Sequence, residues 1–218
     1  MGKHWARQQV KRNEIQDFLD SAFIWISANR QIAGGIAGAV LLLIMIVSLT
    51  IYRGRTVQAT AWDRLALAQN FAYGGRIDEA LSQINDLAAD YARTKAYGFG
   101  LLFAGDMLYP RGEYKEAQEN YAKLLDSGEP KTLQPFALSA MAITQESAGQ
   151  FQQAVQTAQR FLDTHPDHFL AAQVNASLAR SQQALGQNDQ AKATFQKIII
   201  QYPDTSWAAW AQAQGQGR

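Results

Sequence analysis

The chain has 218 residues, 47% hydrophobic and 18% charged, with a net charge of +1 at neutral pH. This length allows one ordinary domain and a further segment, and near-neutrality gives no global attraction to nucleic acid or acidic substrates. The absence of cysteine excludes disulfides, thiol nucleophiles and thiolate metal sites, and leaves the redox compartment open.

The charge is unevenly spread. Residues 1–55 carry seven Lys/Arg against three acidic residues, and the remainder thirteen against sixteen. A basic leading segment followed by a mildly acidic domain suits a protein held at an anionic lipid surface. In residues 1–31, Ile15, Phe18, Leu19, Ala22, Phe23 and Ile26 fall on one helical stripe, with Glu14, Asp17 and Asp20 off it. The pattern predicts an interfacial amphipathic helix with Trp5 and Trp25 at headgroup level; the alternative is a tail that folds against a partner.

Residues 32–52, Ile32 to Tyr52, hold no charge over 21 positions. As a helix they would span about 31 Å, matching a hydrocarbon core of about 30 Å. A transmembrane helix is expected. A cleaved signal peptide is disfavoured: Ala59-Thr60-Ala61 reads A-x-A, but the apolar run is too long and Arg53 and Arg55 intervene. Five Lys/Arg precede the span (Lys3, Arg7, Lys11, Arg12, Arg30) and three follow closely (Arg53, Arg55, Arg64), which favours a cytoplasmic N-terminus and the larger domain outside. Gly34 and Gly38 form a G-x-x-x-G pair, through which two membrane helices could pack, though glycine is common in such helices anyway. Residues 53–60 read as a linker.

From residue 61 the chain repeats. Ala80, Ala117, Ala154 and Ala191 are 37 residues apart, and Gly75, Gly112, Gly149 and Gly186 precede them by five. Pro166 and Pro203 follow their alanines by twelve. This is the spacing of a helix–turn–helix unit: glycine supplies the left-handed residue that ends the first helix, alanine lets the helices cross closely, and proline closes the second. The fold expected is all-α: a membrane helix, then four helix pairs at 61–97, 98–134, 135–171 and 172–206, then residues 207–218 as a capping helix around Trp207 and Trp210 with a frayed tail from Gln214.

These strings resemble the tetratricopeptide repeat family. With the four alanines set as the small position of helix B, the close-packing position of helix A falls on Ala68, Gly105, Ala142 and Ala179, all small. The large helix-B position falls on Ile84, Tyr121, Ala158 and Phe195, and the period is longer than the family's usual one of about 34 residues. The resemblance implies a concave groove lined by Trp62, Leu65, Gln69 and Tyr73; Phe99, Leu102, Asp106 and Tyr109; Phe136, Ser139, Ile143 and Glu146; and Gln173, Ala176, Arg180 and Gln183. Its first half is aromatic and its second polar. An exposed aromatic groove would suit an apolar peptide or partner helix; alternatively Trp62, Phe99 and Phe136 pack between repeats. The Lys/Asn set with which some family members clamp a C-terminal carboxylate is absent from these positions.

Nothing in the sequence points to catalysis or to a cofactor. His165 and His168 stand in H-P-D-H, but no further Cys or His is near, and a solvated turn is expected. Asp163, Asp167 and Asp204 are expected to cap helices. No P-loop or G-x-G-x-x-G string occurs. The order of anchor Ile32–Tyr52, opening string Ala61–Gln69 and four glycine–alanine pairs resembles the YfgM-like family of bacterial inner-membrane proteins. That resemblance implies a non-enzymatic scaffold, single-pass in the inner membrane with its repeats in the periplasm, that serves the secretion translocon and links it to chaperones or clients. Another envelope machine, for outer-membrane protein assembly or cell division, is the alternative. The partners implied are the membrane and other proteins, with self-association open and nucleic acid not expected.

Overall fold

A computed structural model describes residues 19–216. The expectations at Trp5, Ile15 and Phe18 lie outside them. The chain divides into two units at residues 56 and 57.

In the first unit, α1 (Leu19–Ala28) ends at Asn29, whose side-chain amide donates to the Trp25 carbonyl at 3.1 Å. Helix α2 (Arg30–Tyr73) follows; it runs through the boundary between the units and contributes residues to both. It is long and apolar enough to cross a membrane, and its most apolar stretch is wholly unburied. The one threonine in that stretch, Thr50, returns its hydroxyl to the Ile46 carbonyl at 2.8 Å, so it places no unbonded donor on the apolar surface. Residues 53–60, expected as a linker, are helical. Around Gly34 and Gly38 a Cβ would meet nothing.

The second unit is built of helix pairs, all-α as the period predicts. The end of α2 pairs with α3 (Ile77–Tyr91), α4 (Lys95–Leu108) with α5 (Tyr114–Ser127), α6 (Gln134–Ser147) with α7 (Phe151–Thr164), and α8 (Ala171–Ala184) with α9 (Asn188–Gln201); α10 (Ser206–Gln216) closes the series. Short 3₁₀ turns at Tyr109–Arg111 and Lys131–Leu133 join some of them.

Each pair turns in the same way. Gly75, Gly112, Gly149 and Gly186 have φ of +76°, +74°, +74° and +73°, a region costly to residues bearing a Cβ. The next residue donates its N–H back to the fifth residue before it: Arg76 to Phe71, Glu113 to Leu108, Gln150 to Gln145 and Gln187 to Gln182, at 2.8–3.2 Å. This closes helix A. The carbonyl of that same residue accepts the first bond of helix B, and the donor is in every case the repeated alanine: Ala80, Ala117, Ala154 or Ala191, at 3.0–3.1 Å. The five-residue spacing of glycine and alanine is therefore one turn residue plus one helical hydrogen bond.

The small positions are buried as the pattern requires. Packing then differs by repeat. Ala68, Ile84 and Ala104 form one cluster, and Leu108, Ala117, Tyr121 and Met141 another. Ala142, Ala158 and Phe161 centre a larger one. Ala158 suits its place because Phe161, fully buried, fills the volume beside it. Ala211 of α10 joins Ala179, Ala191, Phe195 and Ile198, with Trp207 and Trp210 packed against them. Gln214–Gln216, expected to fray, are helical.

Two further expectations need correction. Asp163 lies inside α7, Asp167 lies in the turn that follows it, and Asp204 takes a left-handed turn with φ +61°. None of the three is a helix cap; the cap of α10 is Thr205, whose hydroxyl accepts from Ala208 N–H at 3.2 Å. His165 and His168 are half-buried rather than solvated. Both rings pack against Phe161, and His168 also stacks on Phe169 at 4.5 Å. Desolvation lowers the His168 pKa, with His165 adding a smaller repulsion in the same direction.

Gly105 stands where the other repeats carry alanine. A Cβ there would lie 2.3 Å from the buried Tyr121 ring. Gly105→Ala should destabilise the full chain in detergent by about 1–3 kcal/mol, measured by chemical denaturation followed by circular dichroism. A smaller side chain at position 121, as in Tyr121→Leu, should reduce that increment.

Candidate protein-binding groove

The expected groove residues do not share one environment. Leu65, Ser139 and Ala176 are buried and belong to the core. Leu65, 2% exposed, packs with Ala61, Leu87 and Ala96. Helix A there buries more than the spacing suggested, because neighbouring helix pairs close over those positions.

A second group is aromatic and open. Tyr73 is 82% exposed, Trp62 41% and Phe99 38%. Trp62 and Phe99 meet across adjacent repeats at 5.2 Å between ring centres, and Tyr73 approaches Phe103 at 6.5 Å. The first two thus pack between repeats and still present ring surface to solvent. Phe136 behaves differently. It is half-buried against Leu101, Leu124, Leu133 and Ala137 and meets His168 and Phe169. Gln69 and Leu102 are half-buried, and Leu102 packs toward Leu108 and Leu133.

The third group converges on a pocket of about 360 Å³, lined by Asp106, Tyr109, Tyr121, Ala140, Ile143, Thr144 and Gln173. It draws on helix A of three successive repeats, and its polar focus is Asp106. Tyr121 reaches across from helix B and donates its hydroxyl to Asp106 Oδ1 at 2.8 Å. The approach exists because Gly105 lacks a Cβ. Desolvation raises the Asp106 pKa, although the side chain reaches solvent, and the Tyr121 hydrogen bond opposes the rise without cancelling it. Burial first, then the Asp106 charge, pushes the Tyr121 hydroxyl far above its ordinary range, so it remains a donor. In the sequence Tyr121 is marked only as the large helix-B position. The glycine at 105, where the other three repeats carry alanine, was the signal that its ring lies over helix A.

Farther along, the polar half of the groove is internally paired. Arg180 donates Nη2–H to Glu146 Oε2 at 2.9 Å and Nε–H to Oε1, and Ser177 adds a hydroxyl at 2.6 Å. Arg180 also lies over Trp210, 5.5 Å from its ring centre. One guanidinium therefore ties α6, α8 and α10 together. Gln183 is exposed beyond it. Among the described residues no group of three or more His, Asp or Glu could hold a metal ion.

Replacing Arg180 by methionine leaves the mostly buried Glu146 carboxylate with Ser177 alone. Arg180→Met should cost about 1–3 kcal/mol, and amide exchange should rise first in α8 and α10. An unchanged exchange pattern would refute the tie.

A family model described as tetratricopeptide repeat matches residues 145–217. No curated protein matches the chain. Among solved structures, a MamA RS-1 double mutant is similar with a TM-score of 0.58 and 15% identity, over 72% of this chain and 85% of that one. A putative kinesin light chain of Podosopora anserina, with nearly identical TPR-like repeats, is similar with a TM-score of 0.54 and 16% identity, over 99% and 100% of the two chains. A variant form of that light chain gives a TM-score of 0.54 and 18% identity, over 90% and 96%. At these identities the likeness is one of fold. Together with the repeated glycine turn and the buried alanine that follows it, these matches assign tetratricopeptide repeats to residues 145–217 and a fold of that kind to the helix pairs before them.

Proposed function

We propose that this chain is a non-enzymatic, membrane-anchored scaffold that binds a segment of another protein in the concave face of its repeats. The observation that carries the reading is the exposed ring surface of Trp62, Tyr73 and Phe99 in the same repeat unit as the pocket around Asp106. Rigid aromatic rings and a partly enclosed pocket supply the large, low-entropy contact area on which interfaces depend. Tetratricopeptide repeats are typically binding scaffolds without catalysis of their own. The unburied apolar stretch of α2 supports a membrane anchor, since its leucines and isoleucines would each forfeit about 1.5–3 kcal/mol if left in water.

The finer reading keeps the order of parts, an anchor followed by repeats, which resembles YfgM-like proteins. On that reading the scaffold sits in a bacterial inner membrane with its N-terminus in the cytoplasm and its repeats in the periplasm. There it serves the secretion translocon and its chaperones. Gly34 and Gly38 would then offer a face for a second membrane helix, this chain's own or another's.

A photo-reactive residue placed at Trp62 or Phe99 in intact membranes should capture translocon subunits or periplasmic chaperones. Capture of division or outer-membrane assembly proteins without any translocon subunit would remove the translocon assignment and leave the scaffold. A reporter joined after Gln214 that is active only in the cytoplasm would reverse the orientation.

A further inference from the structure

We propose that the pocket at Asp106 receives a cationic side chain, lysine or arginine, from the protein segment bound in the groove. This rests on the scaffold reading above and specifies what the groove selects.

The argument is one of charge complementarity. Asp106 accepts one hydrogen bond, from Tyr121, and among the described residues no Lys, Arg or His forms an ion pair with it. Glu146, the groove carboxylate of the next repeat, is fully engaged by Arg180 and Ser177. The groove therefore holds two carboxylates on helix A of successive repeats, one neutralised from within and one not. The cations that could have served Asp106 are committed elsewhere or missing. Arg111, just beyond α4, is held by Asp78 at 3.0 Å and by Glu113. Arg180 is held by Glu146, and α6 contains no basic residue at all.

The surroundings fit a long cationic side chain better than a free ion. Tyr109, Tyr121, Ala140 and Ile143 form an apolar wall able to flank a chain of methylenes, and Gln173 offers an amide on the next repeat. Tyr121 is itself immobilised, 1% exposed with its ring against Gly105. Its hydroxyl therefore fixes where the carboxylate oxygen points. A lysine or arginine head arriving there would gain a charge-assisted hydrogen bond in a partly desolvated site. The raised pKa of Asp106 agrees, because it marks a carboxylate lacking a compensating charge.

The test is a selection of random twelve-residue displayed peptides on the full chain in lipid nanodiscs, run in parallel on Asp106→Asn and Asp106→Lys. Native protein should enrich peptides with Lys or Arg at one fixed position relative to their apolar residues. Asp106→Asn should lose that preference and bind the enriched peptides about 10–100-fold more weakly. Asp106→Lys should turn the preference toward Asp and Glu, which a purely structural role for Asp106 would not produce. Tyr121→Phe, which removes the orienting hydroxyl, should weaken the same peptides by a smaller factor, and the exposed Asp126→Asn should leave them unchanged. Circular dichroism melts establish that each variant is folded. Enriched peptides without a fixed basic position, or with the same preference on Asp106→Asn, would overturn this inference and leave the groove reading standing. Recovery of no peptide above background on the native chain would overturn both.

Discussion

Everything in the repeat domain depends on a turn of one residue that both ends a helix and begins the next. Arg76, Glu113, Gln150 and Gln187 each use their N–H to close helix A and their carbonyl to open helix B. Such double use leaves no slack between the helices. It needs a left-handed residue immediately before, which glycine adopts with no steric cost. It also brings helix B across helix A so closely that the first bonded residue must be small. Ala80, Ala117, Ala154 and Ala191 are almost wholly buried for that reason. The four turns are alike, and helix A of three successive repeats contributes to one pocket.

On that regular frame, the groove acquires its character from departures. Gly105 in place of alanine admits the Tyr121 ring, and the ring delivers a hydroxyl to Asp106. At the corresponding place in the third repeat the large residue is Ala158, and no side chain crosses in this manner. The fourth repeat instead sends Arg180 back to Glu146 and over Trp210, so the distal groove spends its polar groups on internal cohesion. The groove is thus divided by chemistry: open aromatic rings first, then a carboxylate without a basic partner among the described residues, then a closed ion pair.

The first unit obeys a different constraint. Its apolar residues face outward on every side of α2, the reverse of the repeat helices, where apolar residues collect on buried faces. In water that surface would have to be covered, and a lipid environment covers it without a protein partner. The hydroxyl of Thr50, bonded to its own helix, is consistent with the same demand.

The elements that rest on local backbone chemistry and period can be read from the residues alone. The all-α class, the left-handed glycines, the small crossing positions and the proline stops are all legible there, because each is a requirement on one residue at a fixed spacing. The apolar span was legible for the same reason. Which helix-A positions remain open depends instead on how the helices pack on one another. Leu65, Ser139 and Ala176 were expected in the groove alongside Trp62 and Asp106, yet neighbouring helices bury them, and no periodicity in one helix records how closely the next one lies. Likewise the aspartates near helix ends looked like caps, but Thr205 holds that place because Asp204 occupies the left-handed turn before it. The link from Gly105 through Tyr121 to Asp106 joins residues that the sequence shows separately; only the packing of α5 on α4 makes them one site.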